Sequence, residues 1–191
     1  ALISAAFVEL AEKGYAASRL EDIAARAEVT TGAIYSIFGS KQNLVIAATE
    51  CLSDELGTEL APLAEPGLPL DEVLRGIATT YHRAAVGVLA RQRFAFELEL
   101  TSLALRDPDL GRTLLDAVSG RTDELIVRLL TDRSITAQPR ALRTTEEQAR
   151  QLAPALLALM SGLVQRAVLD PQALDEDYCA RAAVALAALA Y

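Results

Sequence analysis

The segment Ala27-Glu28-Val29-Thr30-Thr31-Gly32-Ala33-Ile34-Tyr35-Ser36-Ile37-Phe38-Gly39-Ser40-Lys41 places turn formers around one short apolar stretch. Glu28-Val29 makes a tight turn, and Thr30 can cap a short helix carrying Ile34, Tyr35 and Phe38. Gly39-Ser40 ends that helix, and Ser40 caps a longer one through Leu44, Ala48, Leu52 and Leu56. Upstream, a first helix shows Ile3, Phe7, Leu10 and Ala11 on one stripe, with Gly14 as its stop. Ser18-Arg19-Leu20-Glu21 reads as a capping box: Ser18 would accept from a backbone N–H and Glu21 would reach back. The second helix then carries Leu20, Ile23, Ala24 and Ala27. Two short helices joined by a tight turn, with a third across them, form a helix-turn-helix. Phe7, Leu10, Leu20, Ile23, Ala24, Val29, Ile34 and Phe38 are the expected mini-core. The exposed remainder of the third helix is then Thr31, Gly32, Ala33, Tyr35 and Ser36. Such a helix fits the major groove, where small residues allow close approach and hydroxyls meet phosphates or base edges.

Outward from this unit, the pattern stays helical. Residues 62–69 hold three prolines and a glycine and read as a connector. Helices are expected over 71–90, 91–106, 109–131, 145–169 and 175–190, with a kink at Pro154 and a polar loop over 132–144 containing Pro139. Residues 94–100 alternate like a strand, but one strand among helices has no partner, so they too are read as helix. The expected fold class is all-α, with about nine helices. Residues 1–45 form a helix-turn-helix domain, and residues 46–191 a helical ligand-binding and dimerisation domain.

The 191 residues are 52% hydrophobic and 23% charged, which excludes a disordered chain. Uninterrupted apolar runs stop well short of the roughly 18 residues of a membrane span. The first residues lack the basic region and cleavage site of a signal peptide. The sequence does not begin with Met, so an upstream segment rich in Arg or Lys is expected. Cys51 and Cys179 read as two buried thiols in a reducing cytoplasm. Lys plus Arg number 18 and Asp plus Glu 26, a net charge of −8. Taken alone, that opposes nucleic-acid binding, but a global sum can hide a local footprint. One histidine, no Cys/His metal spacing and no phosphate-cradling glycine loop leave little for an enzyme, a metal or a cofactor. Glu97 and Glu99 lie two apart, on different helix faces, so they are no carboxylate pair.

Gly14-Tyr15, Ile23-Ala24, Val29-Thr30, Gly32, Ile34-Tyr35, Phe38 and Ser40-Lys41, in that order and spacing, resemble the TetR (tetracycline-repressor) family of transcriptional regulators. Ser161-Gly162-Leu163 and Leu169-Asp170-Pro171 are similar to the end of the family's eighth helix. The resemblance implies an all-helical homodimer, with an N-terminal module on operator DNA and a larger domain for a small-molecule effector. It implies that Thr31 and Ala33 read bases, and that Tyr35 and Lys41 hold phosphates. Thr30 and Ser36 lie on the same DNA-facing helix. Ser18 and Arg19 fall where members touch the backbone at the start of the second helix, and Gly32 matches the family glycine. Three features depart from the pattern. Glu28 stands where a turn glycine is usual, at about 1–2 kcal/mol if its φ is positive. Ile37 replaces a polar residue. Residues 1–50 hold four cations against six anions.

Effector contacts are expected from Tyr81, His82, Phe94, Glu97, Thr101 and Met160, between helices. Leu156, Leu159, Gly162 and Leu163, with Ala183, Leu186, Ala187 and Ala190, offer small-residue faces for a dimer. The leading expectation is a cytoplasmic repressor without enzymatic activity or cofactor. It would bind double-stranded, pseudo-palindromic operator DNA as a dimer, make no membrane contact, and be released by an effector of unspecified class. The alternative is a helical interaction protein that kept the fold and lost sequence-specific DNA binding.

Overall fold

The computed structural model describes residues 1–135 and 142–190, without the side chains of 115–119 and 190; Pro139 lies outside the described residues. Among the described residues nine α-helices follow one another: α1 (Leu2–Ala17), α2 (Leu20–Arg26), α3 (Thr31–Phe38), α4 (Lys41–Leu60), α5 (Leu70–Val86), α6 (Ala90–Arg106), α7 (Pro108–Leu130), α8 (Glu146–Leu169) and α9 (Glu176–Ala185). Short 3-10 helices cover Ala61–Ala64 and Leu186–Ala190. Among the described residues the only β feature is one isolated bridge, Ser134 to Arg143.

Local chemistry sets the boundaries. Gly14 interrupts α1 with φ 75 and ψ 168, a conformation open to glycine without strain. Thr30 caps α3 by accepting from the Ala33 N–H at 3.2 Å, and Ser40 accepts from the Asn43 N–H at 3.1 Å. Glu28 takes φ 57, so the turn between α2 and α3 carries a non-glycine residue in the left-handed region. The capping box at Ser18 does not form. Its buried hydroxyl donates to the Gly14 and Glu9 carbonyls at 2.7 and 3.0 Å, and Arg19 is an N-cap without a side-chain bond. α2 begins at Leu20 with Arg19 as its N-cap, one residue beyond Ser18, and the Ser18 hydroxyl turns back onto α1 instead. A capping box does form at α8, between Thr145 and Gln148. Gly87 ends α5 at Val86, four residues earlier than expected, and the alternating residues 94–100 are helical. α9 stops at Ala185, and its expected continuation is a 3-10 helix.

The chain packs as two compact units, residues 1–55 with 91–120, and residues 56–90 with 121–191. In the first unit, Phe7, Leu10, Leu20, Ile23, Ile34, Leu44 and Val45 share a core with Phe96 and Leu103 of α6 and Leu110 and Leu114 of α7. The expected mini-core is thus completed by later helices. Phe7 and Phe96 meet with ring centroids 5.1 Å apart, and burial of a Phe side chain contributes about 1.5–3 kcal/mol. Val29, expected inside, is 39% exposed. Gly111 allows α7 to cross α6 closely, since a Cβ there would lie 2.7 Å from the Ala104 carbonyl.

In the second unit, Leu70, Val73, Leu74 and Ile77 of α5 pack with Ile126, Leu129 and Leu130 of α7, Leu152, Leu156 and Met160 of α8, and Cys179 and Ala183 of α9. Arg133, itself buried, donates to the carbonyls of Leu129, Glu65 and Leu63 and ties the first 3-10 helix to the end of α7. By length and composition α8 could cross a membrane, contrary to the expectation from apolar runs. Ala149, Leu152, Ala153, Leu156 and Met160 form a core-facing stripe, whereas Gln151, Pro154, Ala158, Gln165, Arg166 and Leu169 are exposed. The helix continues as one element through Pro154. Cys179 is buried as expected, but Cys51 is only half-buried.

Candidate functional site

The outer face of α3 follows from helical periodicity. Ile34 is fully buried and anchors the helix. Gly32 and Ser36, one turn apart, lie opposite it and are exposed. Tyr35 flanks them at 56% exposure, and Ile37 stands out at the C-terminal end at 64%. Thr31 and Ala33 lie on the two flanks, half-buried. Thr30 is exposed with its Oγ1 already engaged in the cap. The centre of this face is therefore Gly32 and Ser36, with the expected base readers Thr31 and Ala33 beside it.

Most of the positive charge beneath this face is spent internally. Lys13 pairs with Glu9 at 2.8 Å and Asp22 at 3.1 Å, and Arg26 pairs with Glu9 at 2.8 Å and Glu12 at 2.9 Å. These contacts brace α1 on α2. The bonds from Lys13 and then Arg26 hold the buried Glu9 carboxyl below its ordinary range, against the opposing effect of burial. Lys41 was expected on a phosphate. Its ammonium instead donates to the Tyr15 and Ser18 carbonyls and lies 4.3 Å from the Tyr15 ring centroid. Burial lowers the Lys41 pKa, and the Glu99 carboxylate opposes that shift. Ser18, also expected on the DNA backbone, is buried with its hydroxyl committed. Arg19 is exposed and, alone of the four cations in residues 1–50, has no ion pair or side-chain hydrogen bond among the described residues.

Three of the expected effector residues converge. Tyr81 and His82 of α5 and Met160 of α8 line a narrow crevice with Ala78, Leu163, Val164, Ala167 and Cys179. It has no room for a water molecule as it stands. His82 Nε2 lies 3.1 Å from the Leu174 carbonyl, so a protonated Nε2 donates there. Nδ1 is then a buried acceptor without a partner. Burial, first, and Asp175 raise the Cys179 thiol pKa. Phe94, Glu97 and Thr101 do not join this crevice and belong to the first unit. Glu97 is exposed, yet the surrounding protein desolvates it and raises its pKa against the pull of Arg93. Thr101 is exposed and donates to the Glu97 carbonyl at 2.9 Å.

The expected dimer residues divide as well. Leu156 and Ala183 are fully buried in the chain's own core, and Leu159, Leu163, Leu186 and Ala187 pack against that core. Gly162 is exposed, and a Cβ built on it would meet nothing within 4 Å. The side chain of Ala190 lies outside the described residues. The outward surface of α8 carries Ala158, Ser161, Gly162 and Leu169, and that of the C-terminal helices carries Tyr178, Ala185 and Leu189.

A capped, outward-facing third helix on a braced pair defines the helix-turn-helix class of regulators. Residues 2–48 match the family model for bacterial regulatory proteins of the tetR family, and residues 85–190 match the C-terminal model for BetI-type transcriptional repressors. The chain belongs to the TetR family of transcriptional regulators. The HTH-type transcriptional repressor Rv3405c of Mycobacterium tuberculosis is 36% identical over 124 residues, as is the HTH-type transcriptional regulator Mb3439c of Mycobacterium bovis. Each match covers 60% of this chain and 63% of the relative's length. A TetR-family member from Streptomyces coelicolor superposes with a TM-score of 0.72 at 23% identity, covering 97% of this chain and 95% of that one. The transcriptional regulator FadR of Bacillus subtilis, in complex with stearoyl-CoA, superposes at 0.71 and 19% identity, covering 99% and 96%. At these identities the superpositions establish the fold.

Proposed function

We propose that this chain is a cytoplasmic, ligand-responsive DNA-binding repressor that acts as a homodimer on a pseudo-palindromic operator. Residues 1–45 read the DNA, and residues 46–191 hold the effector and the partner protomer. The observation that carries this reading is α3, fixed by Ile34 and the Thr30 cap while Gly32, Tyr35, Ser36 and Ile37 face outward. Gly32 and Ser36 admit the groove wall closely, the Ser36 and Tyr35 hydroxyls bond to edges or phosphates, and Ile37 meets a thymine methyl. Arg19 supplies the phosphate contact that Lys41 does not. The exposed small residues of α8 and α9 form the two-fold contact, an arrangement that spaces two α3 helices by about one DNA turn or a multiple.

The effector enters between α5, α8 and α9. The crevice is far below the roughly 300–1,000 Å³ of drug-sized sites, so a ligand must widen it and thereby shift α8 and α9. Its apolar lining and the bare Nδ1 of His82 suit a compact apolar molecule with one hydrogen-bond donor. A ligand that favours the widened state loosens DNA binding, and DNA loosens ligand binding by the same factor, with about 1–3 kcal/mol of coupling typical.

Selection from random duplex DNA, followed by titration of the selected site at two salt concentrations, tests the reading. Tight, sequence-selective binding supports it, and the same complex then screens effectors by release. No enrichment over random sequence refutes it and leaves the helical interaction protein.

A further inference from the structure

The C-terminal turn of α1 is held from two sides by residues distant in sequence. Gly14 breaks the helix at φ 75, so the Tyr15 N–H that follows loses its helical partner and needs another acceptor. Glu99 Oε1, from α6, accepts that N–H at 2.8 Å. The Tyr15 carbonyl on the same residue accepts from Lys41, the first residue of α4. Lys41 also reaches the Ser18 carbonyl, and the Ser18 hydroxyl closes the turn onto Gly14.

Gly14 is also what lets Glu99 in. A Cβ at position 14 would sit 3.2 Å from the Glu99 carboxyl carbon and 3.3 Å from each of its oxygens. Arg106, two turns further along α6, lies 3.4 Å from Glu99 Oε1 and steadies the carboxylate. Burial in the same core fixes α6 itself, through Phe96 and Leu103. The clasp is thus a defined acceptor on a fixed helix meeting one backbone donor, with a cation on the other face of the same residue.

The clasp holds the point from which the reading module departs. Ser18 and Arg19 are the only residues between α1 and α2, and α2 leads to α3 through the tight turn at Glu28-Val29. The direction in which residues 14–18 leave α1 therefore fixes where α2 and α3 begin. The ion pairs of the module, from Glu9 to Lys13 and Arg26, act within residues 1–26, whereas Glu99 reaches the α1–α2 junction from α6.

We propose that Glu99, outside the helix-turn-helix, is a positioning residue for DNA reading: it sets the pose of α2 and α3 by accepting the Tyr15 N–H. It touches no DNA itself. The proposal rests on the DNA-binding reading above.

The test compares Glu99→Ala, which removes the acceptor, with Glu99→Gln, which keeps an acceptor oxygen and loses the charge. Each 191-residue chain is measured for affinity to the selected operator, for amide hydrogen exchange, and for global melting temperature. In Glu99→Ala, the Tyr15 amide and the amides of residues 18–38 exchange faster. Operator affinity falls about tenfold or more, as expected for loss of a charge-assisted bond. Glu99→Gln restores slow exchange and most of the affinity, and Glu99→Ala melts only a few degrees lower, so that it stays folded at the temperature of the binding assay.

Unchanged exchange over residues 18–38 in Glu99→Ala overturns the proposal. So does equal damage in both variants, or an affinity loss that only tracks a lower melting temperature. If the unaltered chain selects no DNA sequence, the DNA-binding reading fails by itself, and the exchange arms still decide whether Glu99 holds α2 and α3.

Discussion

Arg19→Ala, measured through the salt dependence of operator binding, tests the electrostatics of the interface most directly. Residues 1–50 contain Lys13, Arg19, Arg26 and Lys41. Lys13 and Arg26 are committed to Glu9, Glu12 and Asp22, and Lys41 to carbonyls. One uncommitted cation per protomer gives about two released counterions per dimer, and so a slope of log K against log salt of about −1.8. Engagement of all four cations in both protomers would give about −7. From about 50 to 200 mM salt the first slope costs about 12-fold in affinity and the second about 10⁴-fold, so the two are easily separated. Arg19→Ala should weaken binding to every sequence alike and flatten the slope towards zero. Lys41→Ala should lower the melting temperature and leave the slope unchanged. The assay is a fluorescence-anisotropy titration of the 191-residue chain against the selected operator at four or more salt concentrations. A slope steeper than about −4, or an Arg19→Ala slope equal to that of the unaltered chain, refutes the assignment of Arg19 as the sole phosphate cation.

Glu28→Gly relieves the left-handed strain at φ 57, by about 1 kcal/mol, and should raise the melting temperature by about 2–4 °C in a scanning calorimeter. Thr30→Ala removes the cap on α3 and should cost about 1 kcal/mol, whereas Thr30→Ser retains most of it; denaturant midpoints distinguish the two. Acid should destabilise the first unit through Glu9. Its folded pKa is depressed by Lys13 and Arg26, so its contribution is full above the unfolded value of about 4.3 and is lost as pH falls through the depressed value. Glu9→Gln should therefore be less stable at neutral pH and lose less on going to about pH 3, as followed by helical circular dichroism. Ala158→Arg, on the exposed side of α8, should yield a well-folded monomer with weakened operator binding; a dimer by light scattering would exclude this face.

The elements were legible because their signals are local. Thr30, Ser40 and Gly39 act within a few residues of themselves, and each does in the fold what its sequence context implied, whereas Gly14, expected to stop α1, kinks it and the helix runs on to Ala17. The strained turn at Glu28 was legible for the same reason. What the local signals did not show were partners elsewhere in the fold. Ser18 carries every local mark of a helix cap, but α2 starts one residue later and the Ser18 hydroxyl donates back to the Gly14 and Glu9 carbonyls of α1. Lys41 matches a phosphate-binding position by spacing, yet the same exposed turn offers it the Tyr15 and Ser18 carbonyls and an aromatic face.

The periodic pattern of α8 and α9 has a related ambiguity. It marks an apolar stripe without saying which apolar residues face the chain's own core, and Leu156 and Ala183 are spent there. What remains outside is marked chiefly by small size, a weak signal in an alanine-rich chain. Tyr81, His82 and Met160 illustrate the opposite limit: as residue types they invited a binding reading, but their meeting with Cys179 is created by packing among α5, α8 and α9. Glu99 had no local signal at all, because its partner is a backbone N–H 84 positions away. Its function follows from the glycine that frees that N–H. In this chain the conformation of Gly14 therefore decides the roles of Ser18, Lys41 and Glu99 together, and a substitution at Gly14 should disturb all three at once.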